Sequence, residues 1–541
     1  MERQVQGRYN LEVEELPVRL NLGQALEQAA GRWSDRVGWV FDDERVTFTQ
    51  MQNLSRAYAA VLHKAGAGEG DLTAVWLPNV PEWAYTFFGS AMSGGLMASM
   101  STRWTTPEAE HVLRHSNARV LIFQPRFLNI DFCALLAEIY PEYDTVLQDL
   151  SKGPDAERPH LIPLHLKTLT CNDIICLDEI DDQSSQEIPQ RDVDPDQPFL
   201  VQYTSGSTGR PKGALLSQIY CLNWGLETWM RLGVRSDEAF LNTQPFYHVG
   251  GSIGALPSPI LLGCTMVTPE YYSPQRVMEL IETEHCVSRG GMSTMYLREM
   301  ELPGFRNFNT SSMRTGWTVA PPGVMDRIRS EYPLAGLVQV YGSSECGSFS
   351  SYPSDPWKIR RRTVGFSTRG TDFAILHPDS GESLESDEIG EICIRGVLRL
   401  LEYYRDDEAT KSSIDTQGWF HTQDLGRVDA QGRLFYEGRL KEMIKPGGEN
   451  VSALEVETVI SSYPGVHQVA VIGIPDPDLG EAIVAVIELI PGSTVIESDL
   501  IKFCSASLAK YKIPKRIYFI EQMPLTDSGK IKKQSLQEFV T

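Results

Sequence analysis

At 541 residues the chain is longer than one hydrophobic core usually organises, so two or more domains are expected. Its 49 basic and 71 acidic residues give a formal charge of -22, a field that repels nucleic acid and anionic membranes and confines any anionic ligand to a locally basic site. No apolar run reaches the roughly 20 residues of a membrane span, residues 1–6 form no apolar signal core, and the nine cysteines include no Cys-x-x-Cys pair. That pattern predicts reduced thiols rather than a disulfide framework or a zinc site, in a soluble cytoplasmic protein.

Residues 22–65 read as two amphipathic helices around a short hairpin, with Met51, Leu54, Tyr58, Val61 and Leu62 at helical spacing in the second. Leu72 to Leu77 and Val120 to Phe123 read as interior strands. Between them, Glu82 to Gly95 carries aromatics beside Gly89, Gly94 and Gly95, a helix able to pack closely on a sheet. Such alternation indicates an α/β architecture. From Asp178 to Asp196 the chain holds eight acidic residues, one arginine and two prolines, the composition of a solvated connector.

The connector leads to the apolar run Phe199-Leu200-Val201 and then to Tyr203-Thr204-Ser205-Gly206-Ser207-Thr208-Gly209-Arg210-Pro211-Lys212-Gly213. A strand feeding this loop would expose many donors. Glycines let backbone N–H groups turn into an anion nest, the hydroxyls of Thr204, Ser205, Ser207 and Thr208 add compact donors, and Lys212 supplies a point charge. It is not a Walker A loop, because Pro211 intervenes between Gly209 and Lys212. Composition alone leaves open an ordinary surface loop that binds nothing.

The order of residues in this loop resembles the phosphate loop of the adenylate-forming superfamily, which comprises acyl-CoA synthetases, firefly-luciferase-like enzymes and the adenylation domains of peptide synthetases. Further motifs follow in that family's order. In Thr243-Gln244-Pro245-Phe246-Tyr247-His248-Val249-Gly250-Gly251 the resemblance gives His248 the role of orienting or gating a substrate carboxylate. Gly316-Trp317-Thr318 stands where relatives line the adenine and acyl pockets, and Trp317 replaces a small residue, which implies a shortened acyl cavity. Val340-Tyr341-Gly342-Ser343-Ser344-Glu345 is similar to a Tyr-Gly-x-Thr-Glu motif: Tyr341 stacks on adenine, Ser344 bonds the α-phosphate and Glu345 holds Mg²⁺. Cys346 beside it is read as a buried structural thiol.

Glu402 and Gln423 stand where glycine is usual. In Gly418-Trp419-Phe420-His421-Thr422-Gln423-Asp424 the resemblance assigns Asp424 to the ribose hydroxyls, and after Gly438 it assigns Arg439 to ribose and phosphate, Lys441 to an interdomain hinge and Gly447-Gly448 to a loop along a pantetheine arm. Pro524-Leu525-Thr526-Asp527-Ser528-Gly529-Lys530 resembles the motif of the catalytic lysine. The implied fold is a large α/β domain of layered sheets and helices, residues 1–438, followed by a small mobile α+β domain, residues 439–541, with strands near 469–474, 483–489 and 517–520.

The resemblance implies an enzyme that uses ATP, Mg²⁺ and a carboxylic acid to make an acyl-adenylate. Gly390-Glu391-Ile392-Cys393-Ile394-Arg395-Gly396 and Met443 to Ser452 are most similar to acyl-CoA synthetases, including carnitine/crotonobetaine-CoA-ligase-like members, so CoA is the expected acceptor. A carrier-protein thiol is the alternative, and an ATP-binding module without turnover is a third reading. A homodimer is among the states left open. Arg289, in Val287-Ser288-Arg289-Gly290-Gly291-Met292, is expected to face a second anionic or carbonyl group of the acid, against the alternative of solvent or a neighbouring acidic side chain.

Overall fold

The computed structural model describes residues 16–180, 192–204, 211–449, 451–526 and 530–540. The expected amphipathic pair comprises helices Leu22–Trp33 and Phe48–Lys64, flanking the hairpin Val37–Phe41/Glu44–Thr47. Both helices start on capping boxes: Asn21 accepts from the Gln24 N–H and Thr47 from the Gln50 N–H, and each glutamine returns a bond to its cap. A cap of this kind contributes about 1 kcal/mol. Helix Pro81–Ser93 then crosses the second helix so closely that a Cβ on Gly89 would lie 2.6 Å from the Ser55 carbonyl oxygen, so only glycine allows this approach.

Two large sheets sandwich this helix. In the first, strands Val37–Phe41, Thr265–Thr268, Ala239–Asn242, Ser288–Gly290, Thr315–Thr318 and Gly336–Tyr341 run parallel in that spatial order. In the second, Pro198–Thr204, Leu96–Ser99, Leu72–Trp76 and Val120–Phe123 are parallel, and Lys212–Ser217 turns back antiparallel on Pro198–Thr204. Strand residues alternate between faces. Thus Val75 joins the core between the sheets while Leu72, Ala74 and Trp76 join the outer core; Trp39 and Phe41 face inward and Val40 faces out. Burial on both faces explains why these strands read as continuous apolar runs.

An antiparallel sheet of Thr371–Leu376, Gly390–Gly396, Phe420–Val428 and Leu434–Arg439 follows. Beyond Arg439 a separate core forms. Hairpin Val466–Asp476/Gly480–Leu489 is joined in parallel by Arg516–Ile520; helices Ala453–Ile460 and Glu497–Ser507 cover one face through Val456, Ile460, Leu500 and Cys504, and helix Lys533–Val540 covers the other through Leu536 and Val540. This is the α+β unit expected from the sequence. It meets the larger unit where Ser452 Oγ donates to the Glu437 carbonyl at 2.5 Å and His467 Nδ1 lies 3.3 Å from Glu301.

Arg289 corrects an expectation. In the three-residue strand Ser288–Gly290 its side chain points away from Gly290 and is 0% exposed, hydrogen-bonded to Glu299, with its guanidinium 3.9 Å from the Tyr296 ring centre. Tyr332 donates to the same Glu299 carboxylate. The arginine is committed to a buried partner and offers no counter-charge to an acid. Removing one partner of a buried ion pair strands the other charge, whereas replacing both with apolar groups does not. Glu299→Leu is therefore expected to cost about 3–5 kcal/mol of stability, and Arg289→Met/Glu299→Leu to regain most of it; denaturant unfolding of both variants measures this, and equal losses would show that the pair is not the source.

Candidate active site

Ligands of open parallel sheets gather beyond the carboxyl ends of the strands. Here those ends are Asn242, Gly290, Thr318 and Tyr341 in one sheet and Thr204 in the other. Among the described motif residues, Thr204, His248, Thr318 and Tyr341 to Glu345 lie at or past one of them. After Asn242, whose side chain bonds the Gln244 carbonyl and N–H at 2.9 and 3.0 Å, the chain reaches His248, the N-cap of the short helix Val249–Ser252. His248 Nδ1 accepts the Gly250 N–H at 3.1 Å, so the neutral ring carries its proton on Nε2 and presents a donor. Burial, followed by the positive charge of Lys530, lowers its pKa to about 3. The imidazole is neutral throughout the physiological range.

At the end of Gly336–Tyr341, the Tyr341 hydroxyl donates to Asp424 Oδ2 at 2.8 Å, and its ring stacks on Tyr436 at 5.5 Å. Asp424 pairs in register with Arg439, whose Nε lies 3.4 Å from Oδ1. Burial pushes the Asp424 carboxyl up, while Arg439, the Tyr341 bond and Lys530 pull it back. Gln423 takes the left-handed backbone, φ 60°, that makes glycine usual at this point. Glu391 holds it there: Oε1 accepts from the Gln423 backbone at 2.9 Å and from its side-chain amide at 3.0 Å. Glu402 sits exposed on the short strand Glu402–Tyr403, opposite Leu215, where a side chain is readily accommodated.

Thr204 and Lys212 face each other at the base of a hairpin whose connecting residues, Ser205, Gly206, Ser207, Thr208 and Gly209 among them, lie outside the described residues. Two histidines of helix Thr106–Ser116 brace this base: His111 Nε2 donates to the Pro211 carbonyl at 3.1 Å, and His115 Nδ1 lies 2.8 Å from the Tyr203 hydroxyl. The Lys212 ammonium sits 5.5 Å from the Tyr403 ring centre, and the Tyr403 hydroxyl donates to Glu345 Oε1 at 3.3 Å. Tyr403 thereby links the phosphate-loop lysine to Glu345. Ser343 Oγ accepts the Glu345 N–H at 3.1 Å, and Ser344 is buried.

Lys530 closes the cleft from the smaller unit. Its N–H donates to Thr526 Oγ1 at 3.1 Å, fixing a turn whose tip lies outside the described residues. The residue is exposed, but the protein crowded around its ammonium lowers its pKa first, Arg439 lowers it further, and Asp424 and Glu345 oppose both. One cleft thus unites Lys530, His248, Glu345, Asp424 and Arg439. Lys441 is exposed in the turn Leu440–Glu442 directly after Arg439, and Gly447, with φ 61°, donates its N–H to the Leu479 carbonyl of its own unit in the turn Pro446–Gly448.

Aromatics crowd the glycines at these strand ends. A Cβ on Gly290 would lie 2.2 Å from the Trp317 ring, and one on Gly342 3.0 Å from the Trp224 ring. Gly316 and Thr318 are buried beside them in the strand. Trp224, Tyr436, Glu391, His111 and His115 escape a reading by motif, because each reaches the site from a distant element; only the alternation of Leu434–Arg439 hinted that Tyr436 faces inward.

The chain matches the AMP-binding enzyme family over residues 26–404 and the AMP-binding enzyme C-terminal domain over residues 455–530. It belongs to that family. Within it the chain falls in the acyl-CoA synthetase branch: it is 31% identical to a protein of Danio rerio named medium-chain acyl-CoA ligase ACSF2, mitochondrial, across 95% of this chain and 87% of that one. The fold is shared with ATP-bound MatB of Rhodopseudomonas palustris (TM-score 0.80, 23% identity, 96% and 99% of the two chains) and with the anthranilate CoA ligase AuaEII in complex with anthranoyl-AMP (TM-score 0.82, 23% identity, 98% and 99%). No helix among the described residues is long and apolar enough to cross a membrane.

The strained Gln423 backbone gives a test of the Asp424 placement. Glycine relieves φ 60° and keeps the backbone bond to Glu391, whereas a β-branched residue is forced into strain of roughly 1–3 kcal/mol. Gln423→Gly is expected to bind AMP nearly as the parent does and Gln423→Val about tenfold more weakly, since about 1.4 kcal/mol is a factor of ten. Calorimetric titration with AMP checks this, and equal affinity in both variants would separate the bulge from nucleotide binding.

Proposed function

We propose that this chain ligates a short carboxylic acid to CoA by two reactions at one cleft, with the named residues in the following roles. A carboxylate does not expel oxide, so its oxygen is first converted to a leaving group: it attacks the α-phosphorus of ATP, the bond to the β-phosphate oxygen breaks, and pyrophosphate departs. The CoA thiol then gives up its proton, its sulfur attacks the acyl carbon, and AMP leaves. Such chemistry needs positioning and charge neutralisation rather than a protein nucleophile.

Lys530 places a cation where the carboxylate and α-phosphate oxygens meet, and the His248 Nε2–H orients the acid. Tyr341 offers its ring to adenine and Asp424 accepts from the ribose hydroxyls, with Arg439 between ribose and phosphate. Thr204, Lys212, Ser344 and the residues of the loop between them hold the phosphates. Glu345, an oxygen donor beside Lys212 with one oxygen already oriented by Tyr403, suits a hard cation, and Mg²⁺ bound there would offset phosphate charge. The observation that carries this reading is the electrostatic meeting of Lys530 from the smaller unit with His248, Asp424 and Glu345 of the larger.

The relatives named as CoA ligases, matched over nearly the whole chain, support CoA over a carrier-protein thiol. Separate hydrophobic cores on either side of Arg439 support two domains divided at 438/439, with Lys441 as the hinge about which Lys530 withdraws and Gly447-Gly448 approach the thiol. Lys530→Ala is expected to abolish pyrophosphate release yet spare thioester formation from supplied acyl-AMP; Lys441→Pro, with φ locked at the hinge, is expected to do the reverse. Because the Lys530 pKa is lowered, acyl-AMP formation falls on the alkaline side as the ammonium loses its proton, below the ordinary lysine value of about 10.4. His248, neutral above about 3, adds no inflection between. Half-reaction assays across pH read all of this, and parallel loss of both halves in either variant would overturn the division of labour.

Trp317 against Gly290, with Trp224 nearby, supports a short acyl chain. Trp317→Ala is expected to move the best substrate toward longer acids, with kcat/KM for an eight-carbon acid rising roughly tenfold or more relative to a four-carbon acid, as one to three kcal/mol per pocket group would give. An unchanged chain-length profile would place the pocket floor elsewhere.

A further inference from the structure

Strands Gly390–Gly396 and Phe420–Val428 pair antiparallel with Cys393 opposite His421. A register shift between Glu391 and Cys393 brings a third side chain to the same place. His421 Nδ1 lies 2.8 Å from Glu391 Oε2 and 3.5 Å from Cys393 Sγ, and the three donor atoms all fall within 4.8 Å of one another. The Glu391 side chain is 4% exposed and that of His421 26%, which gives the otherwise buried cluster a route from solvent. On the far side of the ring, His421 Nε2 lies 3.6 Å from Asp415 Oδ2.

One imidazole nitrogen therefore faces both a carboxylate and a thiol. With the proton on Nδ1 it serves Glu391, and the sulfur meets an N–H instead of a lone pair. With the proton on Nε2, toward Asp415, Nδ1 and the carboxylate present lone pairs to each other across 2.8 Å, and a cation between them relieves the repulsion. A carboxylate on the outer nitrogen is the arrangement that fixes a metal-binding histidine. The mixed S, N, O set suits zinc, with a fourth position open to water. Tetrahedral ligands at about 2.1 Å stand about 3.4 Å apart; the Cys393–His421 separation already fits, and Glu391 must retreat by roughly half an ångström.

We propose that Glu391, Cys393 and His421 form a binding site for a thiophilic divalent cation of the zinc class, and that its occupancy weakens nucleotide binding. Binding forms the metal–sulfur bond and releases the thiol proton to solvent. The coupling follows from Glu391, whose other oxygen holds the left-handed Gln423 immediately before Asp424, and it rests on the nucleotide role given to Asp424 above.

Titration of the full-length reduced protein with Co²⁺, and with Zn²⁺ against a chromophoric chelator, tests the site without nucleotide. One equivalent of Co²⁺ is expected to produce a near-ultraviolet thiolate charge-transfer band, retained in Cys171→Ser, which alters an exposed thiol, and lost in Cys393→Ser. His421→Asn is expected to weaken Zn²⁺ binding at least tenfold and Asp415→Asn roughly 10–100-fold. Absence of the band in the parent protein, or its persistence in Cys393→Ser, overturns the site; should Cys393→Ser fail to fold, the parent spectrum and His421→Asn decide. AMP titration then reads the coupling: Zn²⁺ is expected to raise the Kd several-fold in the parent and not in His421→Asn. Zinc binding with unchanged AMP affinity overturns the coupling alone, while undiminished AMP binding by Asp424→Ala removes the nucleotide reading and leaves the metal site standing.

Discussion

Lys530 belongs to one hydrophobic core and places its charge in a cleft built by another. The cost of enclosing an ammonium is offset there by Asp424 and Glu345, while Arg439 adds to it. Two carboxylates and two cations in close quarters hold each other in a poised state: Asp424 stays enclosed only because Arg439, Tyr341 and Lys530 face it. The arrangement resolves the difficulty posed by a net charge of -22, since a polyanion is received by a few basic groups brought together from distant parts of the chain rather than by a basic surface. Burial first, and then the positive charge of Lys530, keep the His248 imidazole neutral, a donor rather than a second cation.

Much of this was legible in the residues. Period-two and period-3.6 patterns found the paired helices, the interior strands and the small α+β unit, because those segments bury one face or two and little else competes. Tyr341 to Glu345, Asp424 and Lys530, singled out by their order in the chain, come together at one cleft. The burial of Arg289 could not be read in this way. In a strand of three residues the face on which a side chain lands depends on parity, and its partner Glu299 sits on a helix that nothing in the strand foretells. Nor could the meeting of Cys393 with His421, which comes through strand register with a bulge at Glu391, since register between separated strands is not written in local sequence.

Gln423 shows how a departure from a family pattern is absorbed. A non-glycine residue at φ 60° carries strain, yet its amide side chain and backbone N–H both bond Glu391, turning the added bulk into an anchor. That solution makes Asp424 dependent on a carboxylate one strand away, which in turn touches His421 and, through it, Cys393. The position of Asp424 is therefore set partly by a cluster on the neighbouring strand.

Two reactions at one carbonyl impose the last constraint. The first needs a fixed cation against two anionic oxygens, and the second needs that approach cleared for a thiol. A rigid single domain could satisfy either, but a cation on a separately stabilised unit can satisfy both in turn. The bonds named between the units, from Ser452 to the Glu437 carbonyl and from His467 to Glu301, are polar, whereas each unit's own core is apolar. Contacts of this kind cost little to break, which is what the proposed exchange of Lys530 for the thiol requires. Exposed Lys441 lies where the chain passes between them, the place at which the proposed exchange of lysine for thiol requires the backbone to change.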